Sequence, residues 1–325
     1  MFTETLIIEI AKFLSIYLST YITILTTSTI YFNTLALFSN KLRVKRLSKT
    51  GYIINNQIQT PQHVEKLEIK KEIYNLIIPY VEKLRAYTTE ENLQALYRNI
   101  KDVDIKKQSP ISITPYSGLY NSKQNKITYL NKTALGHELL HMASTYYDKE
   151  TNINYVGFKQ AKDRIYIGQG LNEGYTELLN SRIYNNNKII SYHKEVKIAK
   201  LLEFFFDDPK EMESLYFNHN LPGLIHHLEK YTSRDNIIKL LLDIDQINNY
   251  SYSIYSTIPT IKSIKTQILL YNIFEKNCTD KQKVEQFKNI VCEDKIAKII
   301  LNGQKAVLKR KNIIKKTQTT PAYTL

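Results

Sequence analysis

The sequence predicts an α+β protein in which helices predominate. Gly and Pro are few, at 9 and 8 of 325 residues, which favours helices with short connections over a sandwich or barrel. Apolar residues recur with helical spacing over most of the chain, whereas β-rich runs begin only near residue 109. The hydrophobic content of 43% is ordinary for a chain that buries a core, so disorder is not expected.

The chain is basic, with a formal net charge of +14. Clustered Lys and Arg residues would favour a nucleic-acid partner, but here the lysines are spread along the chain among abundant Ile, Asn and Tyr. We therefore expect no nucleic acid. The two cysteines, Cys278 and Cys292, lack the spacing of a disulfide framework and indicate thiols in a reducing compartment.

The N-terminal segment predicts a membrane anchor. Residues 13–40 contain no charged side chain, and about 20 mostly apolar residues suffice to cross a bilayer. Its ten Ser and Thr residues lower the hydrophobicity, which leaves a long core helix as the alternative. A cleavable secretory signal fits less well, because Glu4 and Glu9 precede the stretch. We expect residues 1–40 to be a membrane anchor, with the transmembrane helix at 13–40.

The charges on either side of this segment predict its orientation. The preceding flank offers only one lysine among acidic residues, whereas five basic residues follow at once: Lys41, Arg43, Lys45, Arg46 and Lys49. The positive-inside rule then places the chain beyond residue 40 on the cytoplasmic side of a single-pass protein. We expect residues 41–62 to be a basic linker that can rest on anionic headgroups.

Helical patterns surround a short β-rich region. Residues 63 to about 100 predict two helices, broken near Pro79 or at Thr88–Thr89. Two β-rich runs follow, and the turn-forming residues Asn121–Asn125 indicate a hairpin, hence a small sheet. Beyond residue 180 five helical patterns are predicted, at roughly 193–206, 221–232, 234–246, 260–275 and 281–300.

The sequence HELLH at 137–141 is the first candidate site, on a helix that Asn131 or Thr133 would cap. Four residues advance a helix by about 400°, so the imidazoles of His137 and His141 emerge on one face and can bind one zinc ion. Glu138 lies beside them, where it can reach a metal-bound water. The motif alone also arises by chance, so it needs support from elsewhere in the chain.

That support is a second motif, at 168–179, which predicts a loop followed by an amphipathic helix. Glu173 and Glu177 share one face of this helix. Two carboxylates so close together are useful if one binds a cation and the other accepts a hydrogen bond from a ligand imidazole. We expect Gly174 to let the two motif helices approach closely at the metal.

HELLH followed by LNEGYTE resembles the HExxH plus NExxx(D/E) pair of the thermolysin-like gluzincins. The resemblance covers residues 133–180 and implies a zincin-like metallopeptidase core. It implies that His137, His141 and Glu173 bind Zn²⁺ and that Glu138 is the general base. Glu177 would then orient a ligand histidine, and we expect this to be His137. A metzincin fits less well, because Tyr147 stands where its third histidine ligand would be.

The resemblance also implies that the strand at Lys126–Leu130 is an edge strand that pairs with an extended peptide substrate. The gap between the motifs is longer than in thermolysin, and residues 155–170 resemble a β-hairpin insertion. Such enzymes use a His or Tyr from elsewhere to stabilise the oxyanion, and four candidates stay open: Tyr155, Tyr166, His219 and His226.

The resulting prediction is a membrane-anchored zinc metallopeptidase, a hydrolase acting on a peptide or protein. Beyond the anchor and linker, the expected parts are a zincin-like catalytic domain (63–190) and a helical C-terminal region (191–325). One alternative is a zincin-like regulatory or sensor protein that binds metal and a protein partner. Glu138 favours the enzyme, because a regulator could dispense with it. Another is a membrane-tethered adaptor in which HELLH is accidental and no metal binds.

Overall fold

The computed structural model describes residues 63, 64, 66–109, 117–163, 165–250 and 257–304, and five helical residues near the N-terminus, at 15, 16, 19, 20 and 23. The chain divides into two compact units, Met1–Tyr52 and Ile53–Leu325. Apart from those five residues, the predicted membrane segment and linker lie outside the described residues. Among the described residues, no helix combines the length and apolar character that a membrane crossing requires.

Two helices, α1 (Lys71–Tyr87) and α2 (Gln94–Ile100), open the larger unit. Two helices were predicted here, and the break between them falls after Tyr87. Pro79 lies inside α1 and does not end it. The buried face of α1, formed by Ile77, Val81 and Leu84, follows the predicted helical spacing.

A three-stranded sheet follows, consisting of β1 (Asp104–Lys107), β2 (Gly118–Asn121) and β3 (Lys126–Tyr129). The predicted hairpin is confirmed, because β2 and β3 pair antiparallel. β1 pairs in parallel with the other side of β3, so the strand order is β1-β3-β2. The expectation that Lys126–Leu130 forms an edge strand is therefore wrong, because β3 is the central strand and β1 and β2 lie at the two edges. The charged sequence of β1 gave no pattern from which this pairing could be expected.

The HELLH motif lies on α3 (Lys132–Ala143). A four-stranded antiparallel meander follows, formed by β4 (Thr145–Asp148), β5 (Ile153–Val156), β6 (Lys159–Lys162) and β7 (Ile165–Ile167). It includes the hairpin predicted at 155–170. The second motif then begins α4 (Gln169–Ile183).

Helices form the rest of the described chain: α5 (His193–Glu203), α6 (Pro209–Phe217), α7 (Leu221–Leu228), α8 (Arg234–Tyr250), α9 (Thr257–Asn277) and α10 (Lys281–Cys292), followed by a helical segment at 295–304. All five predicted helical patterns in this region are present. Helix α6 was not predicted, although Asp208 caps it by accepting from the Lys210 amide at 2.9 Å and Pro209 begins it. The predominantly helical α+β class is confirmed, and both cysteines are free thiols.

An aromatic cluster connects the meander to the helices. Phe158 from the β5–β6 turn, Tyr175 from α4 and Tyr216 from α6 have ring centroids 5.3 to 5.6 Å apart. All three rings are fully buried. Such tilted and edge-to-face contacts add about 0.5–1.5 kcal/mol per pair beyond the burial of apolar area. Helix α4 is therefore fixed between the meander and the C-terminal helices.

Candidate metal centre

The start of α3 determines where its histidines point. Asn131 caps the helix by accepting a hydrogen bond from the Ala134 amide at 2.9 Å. His137 and His141 then lie one turn apart, with ring centroids separated by 4.7 Å. Every residue from Ala134 to Ala143 is buried, so the imidazoles are held within the protein and cannot swing into solvent.

The start of α4 is fixed by a residue from far along the chain. Asp245 on α8 accepts hydrogen bonds from the backbone amides of Gly168 (3.0 Å) and Gly170 (2.8 Å). Gly168 has a φ of 78°, a left-handed conformation that favours glycine. A Cβ atom on Gly170 would overlap the carbonyl oxygen of Ile244, so α4 and α8 pack backbone to backbone at this point. The first turn of α4, which carries Glu173, is therefore held rigidly.

Two glycines allow helices to pack closely, but Gly174 does not have the role predicted for it. A Cβ atom on Gly174 would lie 2.5 Å from the carbonyl carbon of Glu195, which belongs to α5. The expectation that Gly174 lets the two motif helices approach is therefore wrong. Gly136 on α3 has that role, because a Cβ atom there would lie 2.9 Å from Oδ1 of Asn180 on α4.

Three buried side chains converge between α3 and α4. Oε2 of Glu173 lies 3.3 Å from Nε2 of His137 and 3.2 Å from Nε2 of His141. Two ligand atoms about 2.1 Å from a tetrahedral zinc ion lie about 3.4 Å apart, so these separations suit coordination of one ion. All three atoms lie within 4.8 Å of one another, and the group can hold a metal ion.

The outer nitrogen of His137 is held by the second carboxylate of the motif. Nδ1 of His137 donates to Oε2 of Glu177 at 3.1 Å, which directs Nε2 towards Glu173. Oε1 of Glu177 accepts from the backbone amides of Ile190 (2.8 Å) and Ser191 (3.2 Å). The structure thus places Glu177 against His137, as expected, and adds a contact to the loop before α5.

That loop brings an aromatic ring against the site. Tyr192 has a φ of 53°, which is unusual for a bulky residue, and its ring stacks on His137 with the centroids 5.6 Å apart. Sequence reasoning missed Tyr192, because neither the backbone conformation nor the stacking partner can be inferred from the local sequence. The ring covers one face of the histidine and lines the cleft beside the site.

The second histidine is supported by a chain of hydroxyl groups. Nδ1 of His141 lies 3.4 Å from Oγ1 of Thr176, whose hydroxyl also contacts the Asn172 carbonyl and the Tyr216 hydroxyl, both at 2.7 Å. The amide nitrogen of Asn172 lies 3.3 Å from the same Nδ1 atom. These contacts hold the ring so that Nε2 of His141 faces Oε2 of Glu173 at 3.2 Å.

The charges of the group favour a bound cation. Burial alone would lower the pKa of His137, but its contacts with Glu173 and Glu177 raise that pKa to about 10. Burial would raise the pKa of Glu173, yet the two imidazoles hold it well below its ordinary value. The carboxylates of Glu173 and Glu177 are therefore stabilised by a positive charge between them. A proton on His137 supplies it, and a metal ion can replace that proton.

Glu138, His141 and Glu173 line a cleft of about 430 Å³. Burial raises the pKa of Glu138 above its ordinary value. The edge strand β2 forms one wall, through Gly118, Leu119 and Tyr120. A Cβ atom on Gly118 would lie 2.7 Å from Oε1 of Glu138, so this strand passes directly over the carboxylate.

Of the four oxyanion candidates, the structure brings only Tyr166 into this cleft, with its hydroxyl 2.9 Å from Oδ1 of Asn249. Tyr155 and His219 are buried, with their rings against Tyr146. His226 is exposed on α7, where it contacts a glutamate of its own helix. These three are therefore not close to the candidate metal centre.

No family model, no curated protein and no solved structure matches the chain. What the site can do has to follow from its own geometry.

Proposed function

We propose that this protein is a zinc metallopeptidase with a zincin-like core. The observation that supports this most directly is the convergence of Nε2 of His137, Nε2 of His141 and Oε2 of Glu173, with Glu138 lining the same cleft. Two imidazoles and one carboxylate are a ligand set that catalytic zinc sites use.

Zinc held by three such ligands keeps a fourth position for water and lowers the pKa of that water to about 7. Glu138 would be the general base, whose carboxylate would take a proton from the attacking water and later donate that proton to the leaving amine. Burial of its carboxylate raises its pKa towards the operating pH, which suits a residue that must both accept and release a proton. Glu177 keeps His137 oriented throughout.

The substrate we propose is an extended peptide that pairs with β2. Within the described residues, β2 pairs only with β3, so its other edge can accept backbone hydrogen bonds from a peptide. The side chain of Leu119, 52% exposed, offers apolar contact along this edge. A peptide in this position would pass over Glu138.

We further propose that the N-terminal segment anchors the protein in a membrane, with the catalytic domain on the cytoplasmic side. The uncharged run at 13–40 and the basic residues that follow it support this orientation. Alkaline carbonate washing should leave the full chain in the membrane fraction, whereas a chain that lacks residues 1–40 should be released.

Metal analysis of the purified full chain tests the metal centre. We expect about one zinc ion per chain, lost in Glu173→Ala and in the double variant His137→Ala/His141→Ala. His226→Ala is the matched control, because that exposed histidine lies outside the cleft and its loss should leave the zinc content unchanged. A folded wild type without bound metal would rule out the proposal.

Catalysis is tested with Glu138→Gln, which preserves the shape of the side chain. We expect this variant to retain zinc and to lose hydrolysis of a mixed peptide library, followed by mass spectrometry, by at least about a hundredfold. If wild type binds zinc but cleaves no peptide, the sensor alternative replaces the enzyme.

A further inference from the structure

A single lysine faces the cleft of the candidate metal centre. Lys159, the first residue of β6, lines this cleft together with Glu138 and Glu173. Its ammonium group lies 6.0 Å from the centroid of the Tyr166 ring. Within the part of the chain that the structure describes, Lys159 is the only lysine or arginine that lines the cleft.

The neighbouring carboxylates are already engaged by other groups. Glu173 contacts both ligand histidines, and the two oxygens of Asp245 accept from the backbone amides at the start of α4. In the described residues, the Lys159 ammonium makes neither a hydrogen bond nor an ion pair, and its one recorded partner is the face of Tyr166. That contact is too long to replace a hydrogen-bonded partner.

The side chain of Lys159 is half-buried in the wall of the cleft. Burial lowers the pKa of Lys159, although the charges of Glu173 and Asp245 favour its protonated form. The amide side chains that line the cleft are neutral and cannot neutralise it: Asn154, Gln169, Asn172, Asn248 and Asn249. An anionic group that enters the cleft would supply the missing partner.

We propose that Lys159 binds a carboxylate of the substrate, so that the enzyme prefers peptides that carry a carboxylate near the scissile bond. This inference depends on the proposed peptidase function and names its substrate class. The carboxylate belongs either to the C-terminus of the peptide or to an Asp or Glu side chain. Both have the same chemistry, and the test below distinguishes them.

Small hydroxamates that bind zinc test carboxylate recognition without catalysis. The probes are the monohydroxamates of succinic and glutaric acid, each compared with the analogue in which a carboxamide replaces the carboxylate. Two chain lengths sample the distance between the metal and the lysine. Calorimetry on the zinc-loaded full chain should show at least one carboxylate probe binding about tenfold or more tightly than its carboxamide.

Substitutions of the lysine then assign that preference. Lys159→Met should abolish it and Lys159→Arg should retain it, both with zinc content unchanged. Lys162→Met is the matched control, because Lys162 lies on the same strand but does not line the cleft, and the preference should persist. If wild type bound each carboxylate probe and its carboxamide analogue with equal affinity, the inference would be overturned whatever the variants do. If wild type bound none of the carboxylate or carboxamide probes, the proposed metal centre would be overturned as well.

Peptide libraries identify the source of the carboxylate. One pair differs only in free or amidated C-termini, and the other only in Glu or Gln at internal positions. Wild type should prefer the charged member of one pair, and Lys159→Met should lose that preference while still cleaving the neutral member. A lysine that only balances the charge of Glu173 would give no preference in either pair, which would refute the proposal.

Discussion

Oε2 of Glu177 lies 3.1 Å from Nδ1 of His137, and Oε2 of Glu173 lies 3.3 Å from Nε2 of the same ring. Two carboxylates one turn apart on α4 therefore hold opposite edges of one imidazole. This explains why like charges are placed four residues apart, a spacing that is unfavourable on a bare helix surface. One of them faces the candidate metal position, and the other fixes the ring that faces it.

Glu177→Gln should weaken zinc binding by about 10- to 100-fold without removing a ligand. The glutamine keeps one oxygen, which can accept either from His137 or from the amides of Ile190 and Ser191. Its NH₂ group cannot accept a hydrogen bond, so one of these two sets of donors loses its partner. Competition with a chromophoric chelator measures the affinity. Glu82→Gln, at an exposed glutamate on α1, should leave it unchanged. Equal affinities in the two variants would show that Glu177 does not orient the ligand.

The link between α8 and α4 should contribute strongly to stability. Asp245→Asn replaces one of two acceptor oxygens by a donor, so one backbone amide at the start of α4 loses its partner in a buried position. We expect a loss of about 1–3 kcal/mol in the free energy of unfolding, measured with urea on the metal-free protein.

Asp243→Asn is the matched control on the same helix. Asp243 is 31% exposed and its oxygen lies 3.5 Å from the Lys262 ammonium, so its loss should change stability by no more than about 0.5 kcal/mol. Equal effects of the two substitutions would contradict a special role for Asp245.

The local features of the site could be predicted from the sequence. The cap at Asn131, the helical spacing of His137 and His141, and the i, i+4 spacing of Glu173 and Glu177 all involve residues close together in the chain. The helical patterns were also predictable, because each depends on a period of 3.6 residues within one segment.

The remaining features depend on contacts between distant segments. Asp245 meets α4 across 75 residues or more, and β1 joins its sheet without a β pattern of its own. Gly136 lies at the contact between α3 and α4, and Gly174 lies at the contact between α4 and α5. This assignment depends on how the three helices pack, and the motif does not specify that packing. Lys159 is one of many lysines in the sequence, and only the fold brings it to the cleft.

Gly174→Ala should destabilise the protein by about 1–3 kcal/mol, because the added Cβ atom would lie 2.5 Å from the carbonyl carbon of Glu195 and 2.6 Å from its oxygen. These are backbone atoms, which cannot rotate away as a side chain can. Gly303→Ala places the same methyl group in open space within the helical segment 295–304 and should leave stability unchanged or slightly raised. Thermal unfolding of both variants measures the difference, and equal midpoints would show that α4 and α5 can separate without cost.

Buried Glu195 should make stability depend on pH. Burial raises the pKa of its carboxyl group from 4.5 to about 7, and its Oε1 atom has no hydrogen-bond partner among the described residues. Below pH 4.5 the group is protonated in both the folded and the unfolded chain and makes no difference. Between pH 4.5 and 7 the unfolded chain releases the proton while the folded chain retains it, so stability falls as pH rises. Above pH 7 the group is ionised in both the folded and the unfolded chain, and stability falls no further.

Glu195→Gln removes this titration, so its stability relative to wild type should rise with pH. Each tenfold difference in proton affinity is worth about 1.4 kcal/mol, and the gain of the variant between pH 4 and pH 8 should therefore approach about 3 kcal/mol. Urea unfolding at both pH values, in the same metal state, measures it. Glu82→Gln should show no such trend, because that glutamate is exposed. A difference between Glu195→Gln and wild type that stays constant with pH would mean that Glu195 is already ionised in the folded protein at pH 4.5, against the expected effect of its burial.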